Sequence, residues 1–357
     1  MKLPPLISVP LSWLYGMVVH IRHKLFDLKI LRSEEFDIPV VCIGNLTVGG
    51  TGKTPVAELL IERFSEHYRV GGLSRGYRRK TKGVVLSTPT SSARTIGDER
   101  RQMKLKYPSV PVAVCEKRAE GIRLLRKAHP EIELIILDDA FQHRYVEPWV
   151  NILLMDYNNP VYRDRLLPWG RLRDTRNQIH RANFVLVTKC PDDLNPLDMR
   201  IVINSLGLFP YQSLYFTRMR QGEITPLFAD RAVGKVREGD PVIAMSGIAN
   251  PVPLLENLRK RFDVVAELTF DDHHTYRLSD MRRLEALFAA YPDAVVLTTE
   301  KDAVKLTNRK KVPEAVQQRL YYVPIHVSFV ADSESEFLRQ LELYVRTNQK
   351  YSLLHPE

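Results

Sequence analysis

Short apolar runs alternate with amphipathic stretches over the first two thirds of the chain. Runs rich in Val, Ile and Leu predict strands that are buried on both faces, at Pro39–Ile43, Arg69–Leu73, Val110–Cys115, Leu134–Leu137, Val150–Met155 and Phe184–Thr188. Helical periodicity predicts helices between several of them, at Pro55–Glu66, Asp98–Lys106 and Arg118–Ala128. This alternation predicts a mostly parallel sheet covered by helices, which binds ligands at the carboxyl ends of its strands.

A second alternation follows and predicts a smaller α/β domain. Its predicted strands are Val242–Met245, Val264–Phe270, Ala294–Thr298 and Leu320–Phe329, and its predicted helices are Val252–Phe262, Ser279–Tyr291 and Ser333–Thr347. Between the two alternations, Ser213–Met219 and Glu223–Phe228 flank Gln221-Gly222, which is typical of a β-hairpin. We therefore expect a core domain over 34–210, a two-stranded β linker over 211–235 and a C-terminal α/β domain over 236–357.

The region before the first strand, residues 1–33, has a different pattern. Its apolar stretch Leu11–Val19 is shorter than the roughly 20 residues that cross a bilayer, and its charges do not follow the order of a signal peptide. We expect a helix that lies on a membrane surface, with an apolar side of Trp13, Leu14, Tyr15, Met17, Val18, Ile21, Leu25 and Phe26 and with His20, Arg22, His23 and Lys24 for lipid head groups. A helix packed on the protein's own core is the alternative, and the two are compatible.

Composition narrows the possible partners. The net charge is +10, with 44% hydrophobic and 26% charged residues among 357. This balance indicates a folded protein with an acidic partner, such as an anionic membrane surface or a phosphorylated substrate. No nucleic acid is expected, because no RNA- or DNA-binding signature is present. Three cysteines without a C-x-x-C pair indicate reduced thiols in the cytosol.

Val40–Pro55, VVCIGNLTVGGTGKTP, reads as a strand, a glycine-rich turn and the start of a helix, which is typical of a phosphate-binding loop. Lys53 is predicted to reach the outer phosphates and the Thr54 hydroxyl to bind Mg²⁺. The predicted phosphate contacts are Thr47, Val48, Gly49, Gly50, Thr51, Gly52, Lys53 and Thr54. The strict pattern G-x-x-x-x-G-K-[ST] would have glycine in place of Thr47. A glycine-rich turn without a ligand is the alternative.

The segment Ile132–His143, IELIILDDAFQH, has the form of a Walker B strand. Asp138 ends the strand and Asp139 follows it, and adjacent carboxylates repel each other unless a cation is near. We therefore expect them to bind Mg²⁺. Gln142 and His143 lie just beyond and are candidates for contact with nucleotide or substrate, although a single histidine is more often structural.

Two further acidic motifs are candidates for proton transfer. Asp98 in TIGDER precedes a predicted helix, where it is either the N-cap or a general base for an attacking hydroxyl group. In FDDHHTY, Phe270–Tyr276, His273 beside an acid is a candidate base. His273 and His274 with their neighbouring acids are also a candidate transition-metal site.

Two basic motifs follow predicted strands or lie in loops. In LLPWGRLRD, Arg173 is a candidate for balancing phosphate charge and Asp174 for an additional Mg²⁺ ligand, with surface ion pairs as the alternative. In LSRGY, Arg75 and Tyr77 are candidates for contact with an anionic substrate. The segments VTKC and TEKD match a guanine-specificity loop only approximately. This poor match favours ATP over GTP as the nucleotide.

In this order, the motifs GNLTVGGTGKTP, LSRGY, IGDE, LDDAFQH, LPWGRLRD, FDDHH and TEKDAVKL closely resemble those of the tetraacyldisaccharide 4'-kinase (lipid A 4'-kinase) family, as far as about Leu306. The resemblance implies a P-loop NTPase-like domain and a smaller α/β domain. It also implies a peripheral enzyme on the cytoplasmic face of the bacterial inner membrane, with no obligate protein partner evident. Such an enzyme uses ATP and Mg²⁺ to phosphorylate the 4'-hydroxyl of an acylated glucosamine disaccharide 1-phosphate.

The resemblance also implies roles for individual residues. Lys53 and Thr54 bind phosphate and metal, Asp98 and His273 act together as the base, and the Walker B pair falls on Asp138 and Asp139. The family's phosphate loop also lacks the first glycine. Where the family has glutamate in its LRE motif, this chain has Asp174, which is one methylene shorter. A GTPase switch, a metal-insertion chaperone carrying metal on His273 and His274, and a non-catalytic membrane adaptor are the alternatives.

Overall fold

The computed structural model describes residues 4–347, and they form two compact units. The first unit contains the chain up to Ile96, Tyr107–Arg220 and the chain from Val327. The second unit contains Gly97–Lys106 and Gln221–His326. Residues 1–3 and 348–357, at the ends of the predicted N-terminal region and C-terminal domain, lie outside the described residues.

Strands and helices alternate along both units. The strands are β1 (Val40–Asn45), β2 (Val70–Ser74), β3 (Val85–Leu86), β4 (Val112–Val114), β5 (Leu134–Asp138), β6 (Val150–Asp156), β7 (Phe184–Thr188), β8 (Ser213–Gln221), β9 (Thr225–Pro226), β10 (Pro241–Ser246), β11 (Asp263–Thr269), β12 (Val295–Thr299), β13 (Leu320–Val323) and β14 (Ile325–Phe329). The helices are α1 (Pro5–Asp27), α2 (Lys53–Phe64), α3 (Ala93–Ile96), α4 (Asp98–Lys106), α5 (Arg118–Ala128), α6 (Pro196–Leu206), α7 (Val252–Arg261), α8 (Leu278–Ala290), α9 (Glu300–Ala303), α10 (Glu314–Arg319) and α11 (Glu334–Thr347).

The large sheet of the first unit has nine strands in the order β14-β8-β7-β6-β1-β5-β2-β4-β3. From β8 to β4 neighbouring strands are parallel, and the short β3 pairs antiparallel with β4. The six predicted strands of this unit are confirmed, and their ends differ from the predicted ends by at most two residues. Every residue of β1, β5 and β7 is buried, because helices cover both faces of a parallel sheet and leave no polar side.

The second unit has a five-stranded sheet in the order β11-β10-β12-β13-β9. Its strands are parallel except for β9, which runs antiparallel to β13. Two buried apolar clusters pack on this sheet, one around Ile243, Leu284 and Val296 and the other around Leu258 and Leu297. The α/β class predicted for this part of the chain is therefore confirmed.

The predicted hairpin over 211–235 was wrong. β8 pairs with β7 in the large sheet, whereas β9 pairs with β13 in the small sheet. The single strand predicted over Leu320–Phe329 is likewise two strands, which Pro324 separates and which belong to different sheets. The chain leaves the first unit at the end of β8 and returns within β14, and these two strands are neighbours. These two neighbouring strands are far apart in sequence.

Two segments belong to a different unit from the one predicted. The helix α4 was assigned to the core domain but is part of the second unit. The last helix, α11, was assigned to the C-terminal domain but packs on the large sheet. Its Phe337 is fully buried and contacts Phe184 and Tyr215 through ring centroids 5.5 and 5.3 Å away. The helix α6 was not predicted.

The N-terminal helix α1 presents its small and polar residues to the first unit. Ser8, Ser12 and His23 are buried, together with Phe26. The opposite face is apolar and exposed, with Trp13 exposed to 77%; its other large side chains are Leu6, Ile7, Leu11, Leu14, Met17, Val18 and Ile21. No helix within residues 4–347 is long and apolar enough to cross a membrane.

The side-chain directions on α1 correct part of the prediction. Phe26 was assigned to the exposed apolar side but is 5% exposed, and its ring contacts Tyr145 edge-on. Arg22 and His23 were assigned to lipid head groups. Instead, Arg22 donates to the Gln142 carbonyl over 3.0 Å and His23 is buried.

Candidate active site

The phosphate loop connects the central strand β1 to α2. Gly49 and Gly52 have φ of +109° and +84°, a region in which residues with a Cβ are strained. Thr47 instead forms an isolated antiparallel bridge with Leu172. A glycine is therefore unnecessary at position 47, which explains the departure from the strict pattern.

Neighbouring segments hold the loop from both sides. The Val48 N–H donates to the Arg171 carbonyl and the Leu46 carbonyl accepts from the Arg173 N–H, each over 2.8 Å. At the end of β7, the Thr188 hydroxyl donates to the Thr51 carbonyl over 2.8 Å. These bonds fix the backbone of the loop, so that its N–H groups are preorganised for an anion.

The VTKC segment at the end of β7, which resembles part of a guanine-specificity loop, contacts the phosphate loop. The Lys189 ammonium of VTKC donates to the Gly50 carbonyl and lies 2.8 Å from Asp156 Oδ2. This lysine therefore supports the phosphate loop.

Two cations and one carboxylate meet where β1 and β5 end. Lys53 Nζ lies 3.4 Å from Asn45 Oδ1 and 3.7 Å from Asp139 Oδ1. Arg173 forms short contacts with the same Asn45 and Asp139 oxygens. Burial alone would raise the pKa of Asp139, but the charges of Lys53 and Arg173 outweigh it and lower the pKa to about 2. Asp139 is therefore ionised at physiological pH.

Asn45 was missed from the sequence. It is completely buried at the last position of β1, where its carbonyl also accepts from Gln142 Nε2 over 2.6 Å. The sequence does carry a signal for Asn45, because it is a polar residue at the end of an apolar strand, just before the phosphate loop.

The four predicted Mg²⁺ ligands differ in their surroundings. Asp139 is the carboxylate that faces Lys53 and Arg173, and a metal contact by Asp139 stays a prediction. Asp138 ends β5 beside Ile43 of β1, and Thr54 is in the first turn of α2. One hydroxyl and one carboxylate, completed by phosphate oxygens and water, are a donor set that suits Mg²⁺. No cluster of three His, Cys, Asp or Glu side chains arranged for a metal is found in the described part of the chain, so the phosphates would have to complete the coordination.

Asp174 has contacts of another kind. Its Oδ1 lies 2.7 Å from His23 Nε2 and accepts the Thr175 N–H over 2.8 Å. The side chains of Asp174 and His23 are 1% and 4% exposed. Nearby, the Tyr15 hydroxyl donates to the Arg173 carbonyl over 2.8 Å. These contacts favour a role in fixing α1, and a direct metal contact by Asp174 stays a prediction.

The predicted substrate residues lie near the same edge of the sheet. Arg75 and Tyr77 follow β2 and are exposed. His143 Nε2 accepts the Arg118 N–H over 3.3 Å, so the proton of the neutral ring is on Nδ1. Burial, with the charges of Arg118, Arg22 and Arg75, lowers the pKa of His143 to about 4. His143 is therefore neutral at pH 7.

Arg118 was also missed. It begins α5, is 4% exposed and donates to the Asp139 carbonyl over 3.1 Å. Burial lowers its pKa from the ordinary arginine value, yet a guanidinium group keeps its charge at pH 7. A buried cation close to Asp139 and His143 is suited to an anionic ligand. The sequence signal for Arg118 was the position of an arginine at the start of a predicted helix that follows a predicted strand.

The proton-transfer candidates meet in the second unit. Asp98 begins α4, and its Oδ2 lies 3.0 Å from Nδ1 of His273. Burial would raise the pKa of Asp98, but the hydrogen bond from His273 and the charges of Lys305 and Lys301 outweigh it and lower the pKa. An ionised carboxylate only accepts, so Nδ1 carries the proton. The backbone of His273 has a φ of +65°.

The two adjacent histidines have different partners. His274 Nε2 lies 2.9 Å from Asp280 Oδ2, and Asp280 also accepts the Arg277 N–H over 2.8 Å at the start of α8. His274 is therefore part of the structure around that helix end, and its contacts do not favour a metal site shared with His273.

The central strand of the parallel sheet leads through a phosphate-binding loop into a helix, and lysine, arginine and carboxylates lie at this loop. These features define a P-loop phosphotransferase. The model of the family of tetraacyldisaccharide-1-P 4'-kinases (LpxK) matches residues 5–344. The chain belongs to this family.

Individual relatives agree with the family. The chain is 44% identical over 356 residues to the tetraacyldisaccharide 4'-kinase of Bacteroides thetaiotaomicron, which covers 96% of this chain and 94% of the relative. It is 44% identical over 350 residues to that of Phocaeicola vulgatus, covering 96% of each. The crystal structure of the "apo" form of LpxK from Aquifex aeolicus in complex with ATP superposes with a TM-score of 0.73 at 27% identity, covering 94% of this chain and 98% of the other.

The resemblance read from the motifs is thereby confirmed. The protein is a kinase with an alcohol group as acceptor. This result excludes the alternatives of a GTPase switch, a metal-insertion chaperone and a non-catalytic adaptor.

Proposed function

We propose that the protein transfers the γ-phosphoryl group of ATP to the 4'-hydroxyl of a tetraacylated glucosamine disaccharide 1-phosphate, which forms the 1,4'-bisphosphate. The convergence of Lys53 and Arg173 on Asn45 and Asp139 carries this proposal. Two cations at the carboxyl edge of the sheet are suited to the outer phosphates of a nucleotide. The ATP complex of the Aquifex aeolicus relative supports ATP as the donor.

The donor is held by groups of the first unit. The N–H groups of residues 49–54, which include the N-terminus of α2, bind the phosphates, and Lys53 contacts the outer ones. Thr54 and Asp138 would hold Mg²⁺, which would offset part of the negative charge of the phosphates. Arg173 offsets the charge that develops on the transferred group.

The acceptor is activated by the pair Asp98 and His273. His273 takes the proton of the 4'-hydroxyl on Nε2 while Asp98 stabilises the resulting imidazolium ion through Nδ1. A bond forms between the 4'-oxygen and the γ-phosphorus, and the bond from that phosphorus to the β–γ bridging oxygen breaks. ADP then leaves.

The lipid is recognised by its charge and held at a membrane. Arg75, Tyr77, Gln142 and His143, with the buried Arg118, form the substrate group, in which the cations favour a sugar phosphate. The exposed apolar face of α1 lies in the interface of the membrane. We place the protein peripherally on the cytoplasmic face of the bacterial inner membrane, whose anionic lipids attract its excess of basic residues.

Phosphoryl transfer from γ-³²P-labelled ATP to a tetraacylated disaccharide 1-phosphate in detergent micelles tests the proposal. We expect one labelled phosphate per lipid and none on a matched acceptor that already carries the 4'-phosphate. Label on both acceptors would exclude the 4'-hydroxyl as the acceptor. Turnover that is independent of the lipid, or that prefers GTP, would contradict the proposal.

A further inference from the structure

Lys305 lies beside the proton-transfer pair of the second unit. It belongs to the short turn Val304–Leu306 that follows α9, and its side chain is 8% exposed. The ammonium group lies 2.9 Å from Asp302 Oδ1 and 4.0 Å from Asp98 Oδ2. A nearly buried cation is thus placed between one carboxylate that is structural and one that is assigned to catalysis.

Asp302 is fixed from several directions. It is fully buried at 0% exposure. Its Oδ2 accepts the Gly247 N–H and the Thr299 hydroxyl, each over 2.8 Å. A Cβ at Gly247 would come within 3.1 Å of Asp302 Oδ1, so the glycine permits this close approach. Because the carboxylate cannot move, it determines where the Lys305 ammonium lies.

The charges around Asp98 come from several elements. His273, in the loop after β11, contacts its Oδ2 through Nδ1. His273 Nε2 lies 3.5 Å from Lys301 Nζ of α9 and 3.5 Å from Asp272 Oδ2, and Lys301 Nζ lies 3.2 Å from Asp272 Oδ1. Lys301 is therefore shared between Asp272 and His273, whereas the Lys305 ammonium lies at ion-pair distance from Asp98.

We propose that Lys305, held in place by Asp302, is a positioning residue that keeps Asp98 ionised and so makes Nδ1 of His273 the protonated nitrogen. His273 Nε2 is then the nitrogen that accepts a proton. One part of the inference rests on the proposed function, namely that Asp98 and His273 accept the proton of the 4'-hydroxyl group. The TEKDAVKL motif, in which Asp302 and Lys305 are three residues apart, would thus place a positive charge beside Asp98.

The direct test is the titration of the Asp98 carboxyl group in the full chain. The ¹³C signal of Asp98, assigned through Asp98→Asn, is followed from pH 7 to pH 3. Lys305→Gln removes the charge but keeps a donor for Asp302, and we expect it to raise the Asp98 midpoint by about one pH unit. Lys305→Arg keeps the charge and should keep the midpoint low. Lys311→Met, at an exposed lysine of the same unit, is the matched control and should not shift it.

The kinetic test uses the lipid phosphorylation assay. In Lys305→Gln the acid limb of the kcat–pH profile should move to higher pH by about one unit, because the pair gains affinity for a proton. The KM for ATP should stay at the wild-type value. If wild-type protein does not phosphorylate the lipid, the proposed function fails, whereas the NMR titration still decides the role of Lys305.

The outcomes that overturn the inference are distinct. A folded Lys305→Gln variant with the wild-type Asp98 midpoint and pH profile would leave Lys305 only the role of neutralising Asp302. Lys305→Met is the second variant, and loss of folding in both would assign the lysine to stability and overturn the inference as well.

Discussion

The side chains of His23 and Asp174 are paired at 2.7 Å, although 151 residues separate them in sequence, and both are almost completely buried. His23 lies near the end of α1, and Asp174 follows directly after Arg173, which contacts Asp139. The N-terminal helix is therefore attached to the segment that also carries an active-site arginine.

We expect His23→Ala to lower the free energy of unfolding by about 3 kcal/mol, because it leaves a buried carboxylate without its main partner. Denaturant unfolding measures the difference. His20→Ala, three residues earlier on the exposed side of the same helix, is the matched control and should cost no more than about 0.5 kcal/mol. Equal effects of the two substitutions would mean that the pair does not hold α1.

The contacts of Asp174 and Asp138 predict different responses to Mg²⁺. Asp138→Asn should raise the Mg²⁺ concentration for half-maximal turnover by about tenfold or more, because a charged carboxylate ligand becomes a neutral amide that binds Mg²⁺ more weakly. Asp174→Asn should lower the thermal midpoint and leave that concentration unchanged. The measurement is kcat against Mg²⁺ at saturating ATP. A strong Mg²⁺ dependence in Asp174→Asn would restore Asp174 to the metal ligands.

Removal of either cation at Asp139 should mainly slow the chemical step. We expect Lys53→Met and Arg173→Met each to reduce kcat by about 10²- to 10³-fold, because charge on the transferred group loses a fixed counter-charge. Steady-state phosphorylation of the lipid measures this effect. Arg171→Met is the control, since Arg171 is in the same segment but its side chain is 46% exposed and paired with Asp164. Loss of kcat in the control would point to disruption of the loop.

The lowered pKa of Asp98 predicts a pH-dependent contribution to stability. A carboxyl group whose folded pKa lies below its unfolded value, about 3.9, stabilises the fold above that value and loses this effect as the pH falls through the folded pKa. Asp98→Asn should therefore be less stable than wild type at pH 6, and the difference should shrink below about pH 4. Urea unfolding between pH 6 and pH 3.5 measures it. A difference independent of pH would contradict the ionised pair.

The exposed apolar face of α1 predicts binding to vesicles. Trp13→Ser with Met17→Ser should weaken sedimentation with vesicles of anionic phospholipid by about tenfold or more, because two large side chains no longer enter the interface. Leu197→Ser, at a leucine that is 68% exposed on α6, controls for general loss of surface hydrophobicity. Sedimentation that is unchanged in the double variant would leave α1 only a structural role.

The phosphate loop, the six central strands and the acid at the end of β5 could be predicted from the sequence. Each depends on residues close together in the chain: an apolar run predicts a strand buried on both faces, and glycines before Lys53 and Thr54 predict a backbone turn around an anion. The family, too, could be identified from the order of such local motifs. These patterns involve residues close together in the chain, so they can be recognised without knowing which distant segments pack together.

Only the tertiary structure decided which face of α1 is buried and what Asp174 contacts. The helix has small, polar and apolar residues on several sides, and its buried face is chosen by partners such as Leu166 and Asp174, more than 150 residues away. The pairing of β8 with β14 in the large sheet and the placement of α4 in the second unit depend in the same way on contacts between distant segments. Asn45 and Arg118 lie at the same site because β1 ends, and α5 begins, at the same edge of one sheet.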